Sequence, residues 1–393
     1  MSIVVDRLRL VGAPGTNKVM AGELSRLVRA GLRQRRLPDP QKDGLGALAY
    51  PFDAEIALLA AQYHRTAVRV LWDLYDSRAE RLEPLFADLC PAIAGDERAY
   101  GWDGARISVE TFGVEGFAAG ERQIVGVVKN ALVEAFATRG VRLTVAPSGP
   151  DLLFSVRRYD GRIVVSLDLA GRPMNERGYR MRAGPAPLRE DLAANLVMLT
   201  RHDARHEALC DPMAGAGTIV IEAAAMARAH PVWMSGRKPA ALSWPVFAAH
   251  ASARPEPLFP DTRPVLFGCE LDGDAVERMR ENFEAAGVSE DVDVFAGSFA
   301  DLAPERLIAR AQARGVETGV ILSNPPYGER LGSADEVLRL YRELGEWCRE
   351  LPGWRAGFFV GNDAFPEAFG GRPRVMKPLK NGPLRAAFYL YDL

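Results

Sequence analysis

The second half of the chain switches repeatedly between short apolar runs and longer amphipathic stretches. The runs, such as 292–295 and 319–323, have the length of buried strands, whereas 274–285 repeats its apolar positions at helical spacing. Strands that alternate with helices are typical of a parallel sheet covered by helices. We therefore predict an α/β domain over residues 187–393, with strands near 209–211, 265–268, 292–295, 319–323, 356–360 and 384–391 and helices near 187–199, 218–228, 274–285, 304–314 and 335–351.

The first half has a mixed pattern. Residues 1–65 begin with a strand-like stretch over 3–11, and an amphipathic helix follows it. Residues 66–172 contain predicted strands, a helix over 125–137 and a hairpin over 152–169. This pattern predicts a small α+β module over 66–172, with a separate block over 1–65 before it and a basic linker over 173–186 between it and the α/β domain.

The composition is that of an ordinary globular protein. Of the 393 residues, 48% are hydrophobic and 25% are charged, and this length suits two or three domains. No apolar run approaches the roughly 20 residues that span a bilayer, and the start lacks the order of a signal peptide. We expect a cytoplasmic protein without a membrane partner. The four cysteines are far apart and form no Cys-x-x-Cys pair, so buried free thiols are expected and a bound metal is not.

The charges are distributed unevenly. The net charge is −2, but residues 1–190 carry 27 Lys and Arg against 23 Asp and Glu, and the remainder carries 22 against 28. Arginine suits phosphate recognition because its planar fork of donors is always charged. The local arginine cluster is therefore either an RNA contact or a solvated surface; it comprises Arg172, Arg177, Arg180, Arg182 and Arg189.

A glycine loop follows the first predicted strand of the α/β domain, in "CDPMAGAGTIVIEAAA" (210–225). Gly215 and Gly217 let the backbone approach a ligand closely, and Thr218 is predicted to cap the next helix. The third glycine of a dinucleotide fingerprint is missing, which disfavours a nicotinamide dehydrogenase, and no P-loop is present. The loop suits a ligand without phosphates, such as S-adenosylmethionine, whose amino group Asp211 and Glu222 would meet. The alternative is a plain strand-to-helix turn.

Acidic residues end the next strand, in "FGCELDGDAVERMRENFEAAGV" (267–288). A carboxylate at this position can accept hydrogen bonds from ribose hydroxyls, with Glu270 the first candidate and Asp272 the second. The segment 229–262 separates the acids from the glycine loop and is rich in proline. It either covers the substrate or packs as a surface excursion.

The stretch "ILSNPPYGERLG" (321–332) ends a predicted strand with Asn-Pro-Pro-Tyr. The Asn324 side-chain oxygen and the Pro325 carbonyl can accept both N–H groups of a base amine and so direct its lone pair toward a methyl donor. Tyr327 offers a ring on which a base can stack. This is catalysis by positioning and electrostatics. The structural alternative is a turn with a core tyrosine.

These residues resemble the class I S-adenosylmethionine-dependent amino methyltransferases, whose motif is Asn-Pro-Pro-Tyr or Asn-Pro-Pro-Phe. The chain resembles the THUMP-containing RNA guanine-N2 methyltransferases over most of its length. The stretches that carry the resemblance are 65–71, 127–136, 168–173, 175–197, 211–224, 281–288 and 323–332.

The resemblance implies a ferredoxin-like segment over 1–65, a THUMP RNA-binding module over 66–172 and a Rossmann-like methyltransferase over 187–393. It implies methylation of guanine N2 in 23S ribosomal RNA. Transfer RNA is the alternative substrate, and an RNA-binding ribosome assembly factor is the alternative function. The implied catalytic residues are Asn324, Pro325, Pro326 and Tyr327.

The other implied site residues belong to two groups. Those predicted to bind S-adenosylmethionine are Asp211, Pro212, Ala214, Gly215, Gly217, Thr218, Glu222, Glu270, Asp272, Ser298 and Phe299. Those predicted to bind RNA are Arg172, Arg177, Arg180, Arg182 and Lys129. This chain departs from the family at Ser298 and Phe299, where an acidic residue often contacts adenine. Some ribosomal members carry a second fused methyltransferase, which is not expected in a chain that ends at Leu393.

Overall fold

The structure is a computed structural model that describes residues 3–99, 101–180, 188–234, 236–250, 256–326, 333–381 and 384–393. The chain forms two compact units, and each is built around its own sheet. The first unit comprises Met1–Gly12, Met20–Met174 and Lys238–Pro255. The second comprises Ala13–Val19, Asn175–Arg237 and Glu256–Leu393.

The first unit contains an eight-stranded mixed sheet in the order β2-β3-β1-β4-β8-β7-β5-β6. Its strands are β1 (Val4–Gly12), β2 (Gln41–Lys42), β3 (Ala47–Pro51), β4 (Ala67–Ser77), β5 (Arg106–Phe112), β6 (Thr144–Val145), β7 (Leu152–Tyr159) and β8 (Arg162–Asp168). The helices are α1 (Asn17–Gly31), of which residues 20–31 belong to this unit, α2 (Ala54–Tyr63), α3 (Leu82–Ala94) and α4 (Glu121–Ala137). Because β1 pairs with β4, one sheet runs through both predicted α+β modules, and the boundary between them stays a prediction.

Part of the predicted insertion over 229–262 belongs to this first unit. The Trp244 ring nitrogen donates to the Asp151 carbonyl at 3.1 Å, and the Phe247 ring packs against Phe52 and Trp72. Trp244 and Phe247 are both buried. For residues 238–250 the structure therefore supports a segment that packs on the first unit rather than a loop that covers a substrate.

The second unit contains a seven-stranded sheet in the order β11-β10-β9-β12-β13-β15-β14. The strands are β9 (Glu207–Asp211), β10 (Val265–Glu270), β11 (Val292–Ala296), β12 (Thr318–Ser323), β13 (Arg355–Val360), β14 (Val375–Asn381) and β15 (Leu384–Asp392). The first five are parallel, and β15 and β14 add an antiparallel edge. The helices are α5 (Glu190–Thr200), α6 (Thr218–Ala227), α7 (Gly273–Ala286), α8 (Pro304–Gln312), α9 (Ala334–Arg349) and α10 (Phe365–Phe369).

Two apolar layers cover this sheet, one on each face. Leu209 and Leu322 belong to one layer, whereas Cys210 and Ile321 belong to the other. Successive strand residues point to opposite faces, so continuous apolar strands are required by a sheet that is buried on both sides. The predicted α/β class of this domain is confirmed. Within the described ranges, no helix combines the length and the apolar character that crossing a membrane requires.

Candidate active site

The strand register brings the predicted site residues to one edge of the second sheet. Cys210 pairs with Phe267 on one side and with Ile321 on the other. Asp211 ends its strand one residue after this row, and Glu270 and Asn324 each lie three residues beyond it. Parallel strands present their carboxyl ends at the same edge, so two acids and an amide converge there.

A cavity of about 430 Å³ opens at this edge, within the volume range of small-molecule sites. Many of the predicted residues line it together: Asp211, Pro212, Ala214, Gly215, Thr218, Glu270, Asp272, Ser298, Phe299, Asn324 and Pro326. Of the described residues that were predicted to bind the cofactor or to be catalytic, Gly217, Glu222 and Pro325 are not among those that line it.

Glycine is needed at the two positions of this loop for different structural reasons. Both have positive φ angles, 56° at Gly215 and 81° at Gly217. A Cβ atom added to Gly217 would lie 2.5 Å from the Phe283 ring on α7, whereas one added to Gly215 would meet no atom within 4 Å. Gly217 therefore allows close packing of the loop against α7, and Gly215 leaves open space beside the cavity.

The predicted cap of α6 is wrong by one position. Gly217 occupies the cap position in a left-handed conformation, and no side chain caps the helix there. Thr218 is the first helical residue, and its hydroxyl oxygen accepts a hydrogen bond from Arg180 at 3.3 Å. The left-handed turn needs glycine, so the hydroxyl residue is displaced into the helix.

Asp211 is a buried carboxyl at the end of β9. It accepts hydrogen bonds from the Ser323 hydroxyl at 2.6 Å and from the Met213 backbone N–H at 3.1 Å. Burial raises the pKa of Asp211 to about 7, and the nearby Glu270 also raises it, while the two hydrogen bonds act in the opposite direction. A bound cation would favour the ionised form, so this carboxyl is suited to meet an ammonium group.

Glu270 holds the glycine loop against the second strand end. Its two carboxylate oxygens accept from the backbone N–H groups of Gly215, at 2.8 Å, and Asp272, at 2.9 Å. One oxygen of Asp272 accepts from Ala275 at 2.9 Å and caps α7. Each carboxylate oxygen has a further lone pair, so Glu270 can still accept from ribose hydroxyls.

Asn324 carries an unsatisfied acceptor at the cavity. Its side-chain oxygen is buried and has no hydrogen-bond partner among the described residues. Pro325 is buried, and the Pro326 carbonyl accepts from the Tyr341 hydroxyl at 3.1 Å, which fixes the turn. A buried acceptor without a partner costs free energy, and a substrate N–H would satisfy it. Tyr327 lies outside the described residues, and its stacking role stays a prediction.

Glu222 and Arg177 do not have the predicted roles. Glu222 is fully buried and accepts from Arg177 at 3.2 Å and from the Tyr179 hydroxyl at 3.5 Å. The structure therefore contradicts both a Glu222 contact to the cofactor and an Arg177 contact to RNA. The two charges neutralise each other away from water, as buried ions must.

The remaining predicted RNA contacts differ in exposure where the structure describes them. Arg180 is one-fifth exposed, and it pairs with Glu190 and donates to the Leu188 carbonyl, both at 3.0 Å. Arg172 is exposed and Lys129 is half-buried on α4. Arg182 lies outside the described residues. The RNA roles of these four residues stay predictions.

Sequence reasoning missed several residues of the site. Ser323 donates a hydrogen bond that orients Asp211. Its position just before the Asn-Pro-Pro turn could have indicated from the sequence that it belongs to the site. Leu271 directly follows Glu270 and is 73% exposed. An apolar residue just after the acid that ends the strand could likewise have indicated a residue of the site. The cavity is also lined by Leu188, Met213, Ala216, Ile219, Leu271, Ala275, Arg278, Gly297 and Leu340.

Comparison with known proteins agrees with this geometry. Residues 177–388 match the family described as "RMKL-like, methyltransferase domain". The ribosomal RNA large subunit methyltransferase K/L of Cellvibrio japonicus is 33% identical over 282 residues, which cover 68% of this chain and 36% of that protein. The enzyme of the same name from Shewanella frigidimarina is 27% identical over 369 residues, which cover 90% of this chain and 49% of that protein. The chain thus spans between a third and a half of the length of these relatives.

A solved structure is similar over almost the entire chain. A possible methylase from Clostridium difficile 630 superposes with a TM-score of 0.81 at 25% identity and covers 98% of both chains. The family match covers more than half of this chain. The chain belongs to the RMKL-like methyltransferase domain family, and the resemblance of its sequence motifs to methyltransferases is thereby confirmed.

Proposed function

We propose that this chain methylates the N2 amine of a guanosine in 23S ribosomal RNA. One observation carries the proposal: the Asn324 amide oxygen, which has no hydrogen-bond partner among the described residues, lies at the same cavity as Asp211 and Gly215. The relatives named as large-subunit ribosomal RNA methyltransferases support the RNA class. The choice of guanine N2 is supported by the resemblance of the Asn-Pro-Pro-Tyr stretch to guanine-N2 enzymes.

The carboxylate acceptors and the volume of the cavity suit S-adenosylmethionine. The open side of Gly215 leaves room for a ligand beside the backbone. Asp211 would meet the amino group of the cofactor, and Glu270 would accept from its ribose hydroxyls. When bound, S-adenosylmethionine supplies an electrophilic methyl carbon attached to a sulfonium.

The chain's own contribution to the reaction is the orientation of the substrate amine. The lone pair of a guanine amine is delocalised into the ring, which makes the nitrogen a weak nucleophile. The Asn324 oxygen and the Pro325 carbonyl would accept its two N–H groups and hold the nitrogen with its lone pair directed at the methyl carbon. Proline has no N–H of its own, so no backbone donor of Pro325 competes for these acceptors. Fixed acceptors of this kind lower a barrier by preorganisation.

The test is methylation of separate RNA classes by the purified chain. We expect transfer from labelled S-adenosylmethionine to unmodified 23S RNA, and N2-methylguanosine in its nucleoside digest by mass spectrometry. Transfer RNA and 16S RNA serve as comparison substrates. Asn324→Ala should reduce turnover by about 100-fold or more with little change in cofactor affinity, as expected for a group that acts in the transition state.

A matched asparagine provides the control. Asn362 follows β13 at the same edge, and its oxygen accepts from the Ala364 N–H at 2.9 Å. Asn362→Ala should retain turnover. Methylation of transfer RNA alone would favour the alternative substrate. Cofactor binding without methylation of any RNA would contradict the proposal.

A further inference from the structure

The hairpin formed by β14 and β15 rises above the edge that carries the cavity. Val360 ends β13 and pairs with Ala387, which in turn pairs with Pro378. Three more residues of each strand of the hairpin continue past this level, up to the pair Asn381 and Leu384. At about 3.4 Å per residue, the hairpin extends about 10 Å beyond the end of β13.

Register also places this hairpin level with the proposed catalytic amide. Ser323 pairs with Phe358, so Asn324 stands level with Phe359. Phe359 pairs with Phe388, and Phe388 pairs with Lys377. Three strand spacings of about 4.8 Å separate the two positions, which gives about 14 Å across the sheet. A few nucleotides of RNA span such a distance.

Cations lie on both faces of this hairpin. Lys377 is half-buried, and its pKa is lowered by burial and by the neighbouring Lys18, which is exposed. Arg385 is exposed and occupies the ladder position opposite Lys380. Lys377 faces the same side of the hairpin as its ladder partner Phe388, whereas Arg385 lies three residues from Phe388 and faces the other side.

The described residues place no carboxylate in an ion pair with these cations. Within the described part of the chain, neither Lys18 nor Lys377 nor Arg385 takes part in an ion pair. Asp392 pairs with Arg374 at 2.9 Å near the other end of β15, and Asp363 lies beside Tyr389. The hairpin therefore offers positive charge above the site edge that no carboxylate of the described residues pairs with.

We infer that Lys18, Lys377 and Arg385 bind backbone phosphates of the RNA whose target base enters the cavity. The inference rests on the proposed function and adds a second anchor for the same substrate. Phosphate contacts set the register of a nucleic acid without reading its sequence. The hairpin would thus position the nucleotides that flank the target base.

The test uses the full chain with Lys377→Gln and Arg385→Gln combined. Loss of two phosphate contacts should reduce the slope of log affinity against log salt by about 1.4 to 1.8. The KM for RNA should rise by about 10-fold or more in moderate salt, whereas turnover at saturating RNA and cofactor affinity stay unchanged. The matched control is Arg280→Gln combined with Arg310→Gln, because these arginines flank β11 at the opposite edge of the sheet.

Three outcomes are distinguishable. A reduced slope in the hairpin variant but not in the control supports the inference. Equal slopes for the hairpin variant and the wild type, with methylation intact, overturn the inference and leave the proposed function standing. Failure of the wild type to bind or methylate RNA overturns both. Photocrosslinking of thiouridine-substituted RNA should also label the peptide over 375–385 in the wild type, and labelling confined to other peptides would count against the hairpin.

Discussion

Asp211 combines deep burial with a position where the cofactor's amino group is expected. Its pKa of about 7 means that the ionised fraction rises about tenfold between pH 6 and pH 8. Since the ionised form pairs with an ammonium group, cofactor affinity should rise about tenfold over this interval. Isothermal titration of S-adenosylhomocysteine at several pH values measures this, and Asp211→Asn should bind more weakly and with little pH dependence. A flat wild-type profile would contradict the assigned contact.

The same carboxyl should influence stability in the opposite direction. A carboxyl whose folded pKa exceeds its unfolded value favours the fold while it is protonated, so this stabilisation is lost as the pH rises from about 4 to about 7. Without cofactor, Asp211→Asn should therefore lose less stability over that interval than the wild type. Urea unfolding at pH 5 and pH 8 provides the comparison.

Single residues were predictable where their position on a strand determines their environment. Asp211, Glu270 and Asn324 follow apolar strands, and the shared edge of a parallel sheet explains why they line one cavity. The pair Arg177 and Glu222 was not predictable, because 45 residues separate its members. No local pattern distinguishes such an arginine from one that faces solvent.

The glycine loop between β9 and α6 illustrates how a short element depends on backbone conformation. Gly217→Ala would combine a left-handed backbone with a contact to Phe283, and we expect a loss of more than about 2 kcal/mol in stability. Gly215→Ala should cost about 1 kcal/mol, since its Cβ meets open space. The Gly215→Ala variant should also bind the cofactor more weakly, and the loss of affinity should be larger than its loss of stability explains.

The contact to Phe283 can be tested within the same loop. Phe283→Ala removes the ring that the added Cβ would meet, so the Gly217→Ala and Phe283→Ala effects should be less than additive. Chemical denaturation of both single variants and the double variant gives the coupling. Strictly additive losses would show that backbone strain alone makes glycine necessary.

Elements were predicted well where hydrophobic periodicity is strong. All the strands and helices predicted for the α/β domain occur, with ends shifted by a few residues. The missed α2 is buried along most of its length, so it lacks the polar stripe that marks a surface helix. The missed α3 contains Pro91, and the missed β14 contains Pro378 and two lysines. Such residues are atypical of strand interiors and are tolerated here because β14 is an edge strand.

The division of the chain into two units depends on contacts between residues that are far apart in the sequence. The first unit includes Lys238–Pro255, which in sequence lies between two strands of the second unit. The proline-rich composition marked 229–262 as irregular but carried no information about its packing partners. The aromatic contacts of Phe247 with Phe52 and Trp72 connect residues that are distant in the sequence. Only the folded chain reveals them.

These contacts separate the two interpretations of the inserted segment. If the segment is a structural part of the first unit, Phe247→Ala should destabilise that unit by about 3–5 kcal/mol, as truncation of a buried aromatic ring does. Amide exchange followed by mass spectrometry should then accelerate in β3 and β4 and stay unchanged in β9 and β12, because local opening reports the unit that lost its contacts. Cofactor affinity at 25 °C should be unaffected, since the cavity lies within the second unit. A segment that instead covers the substrate would give a raised KM for RNA with normal exchange in β3 and β4, and that result would reject the packed interpretation.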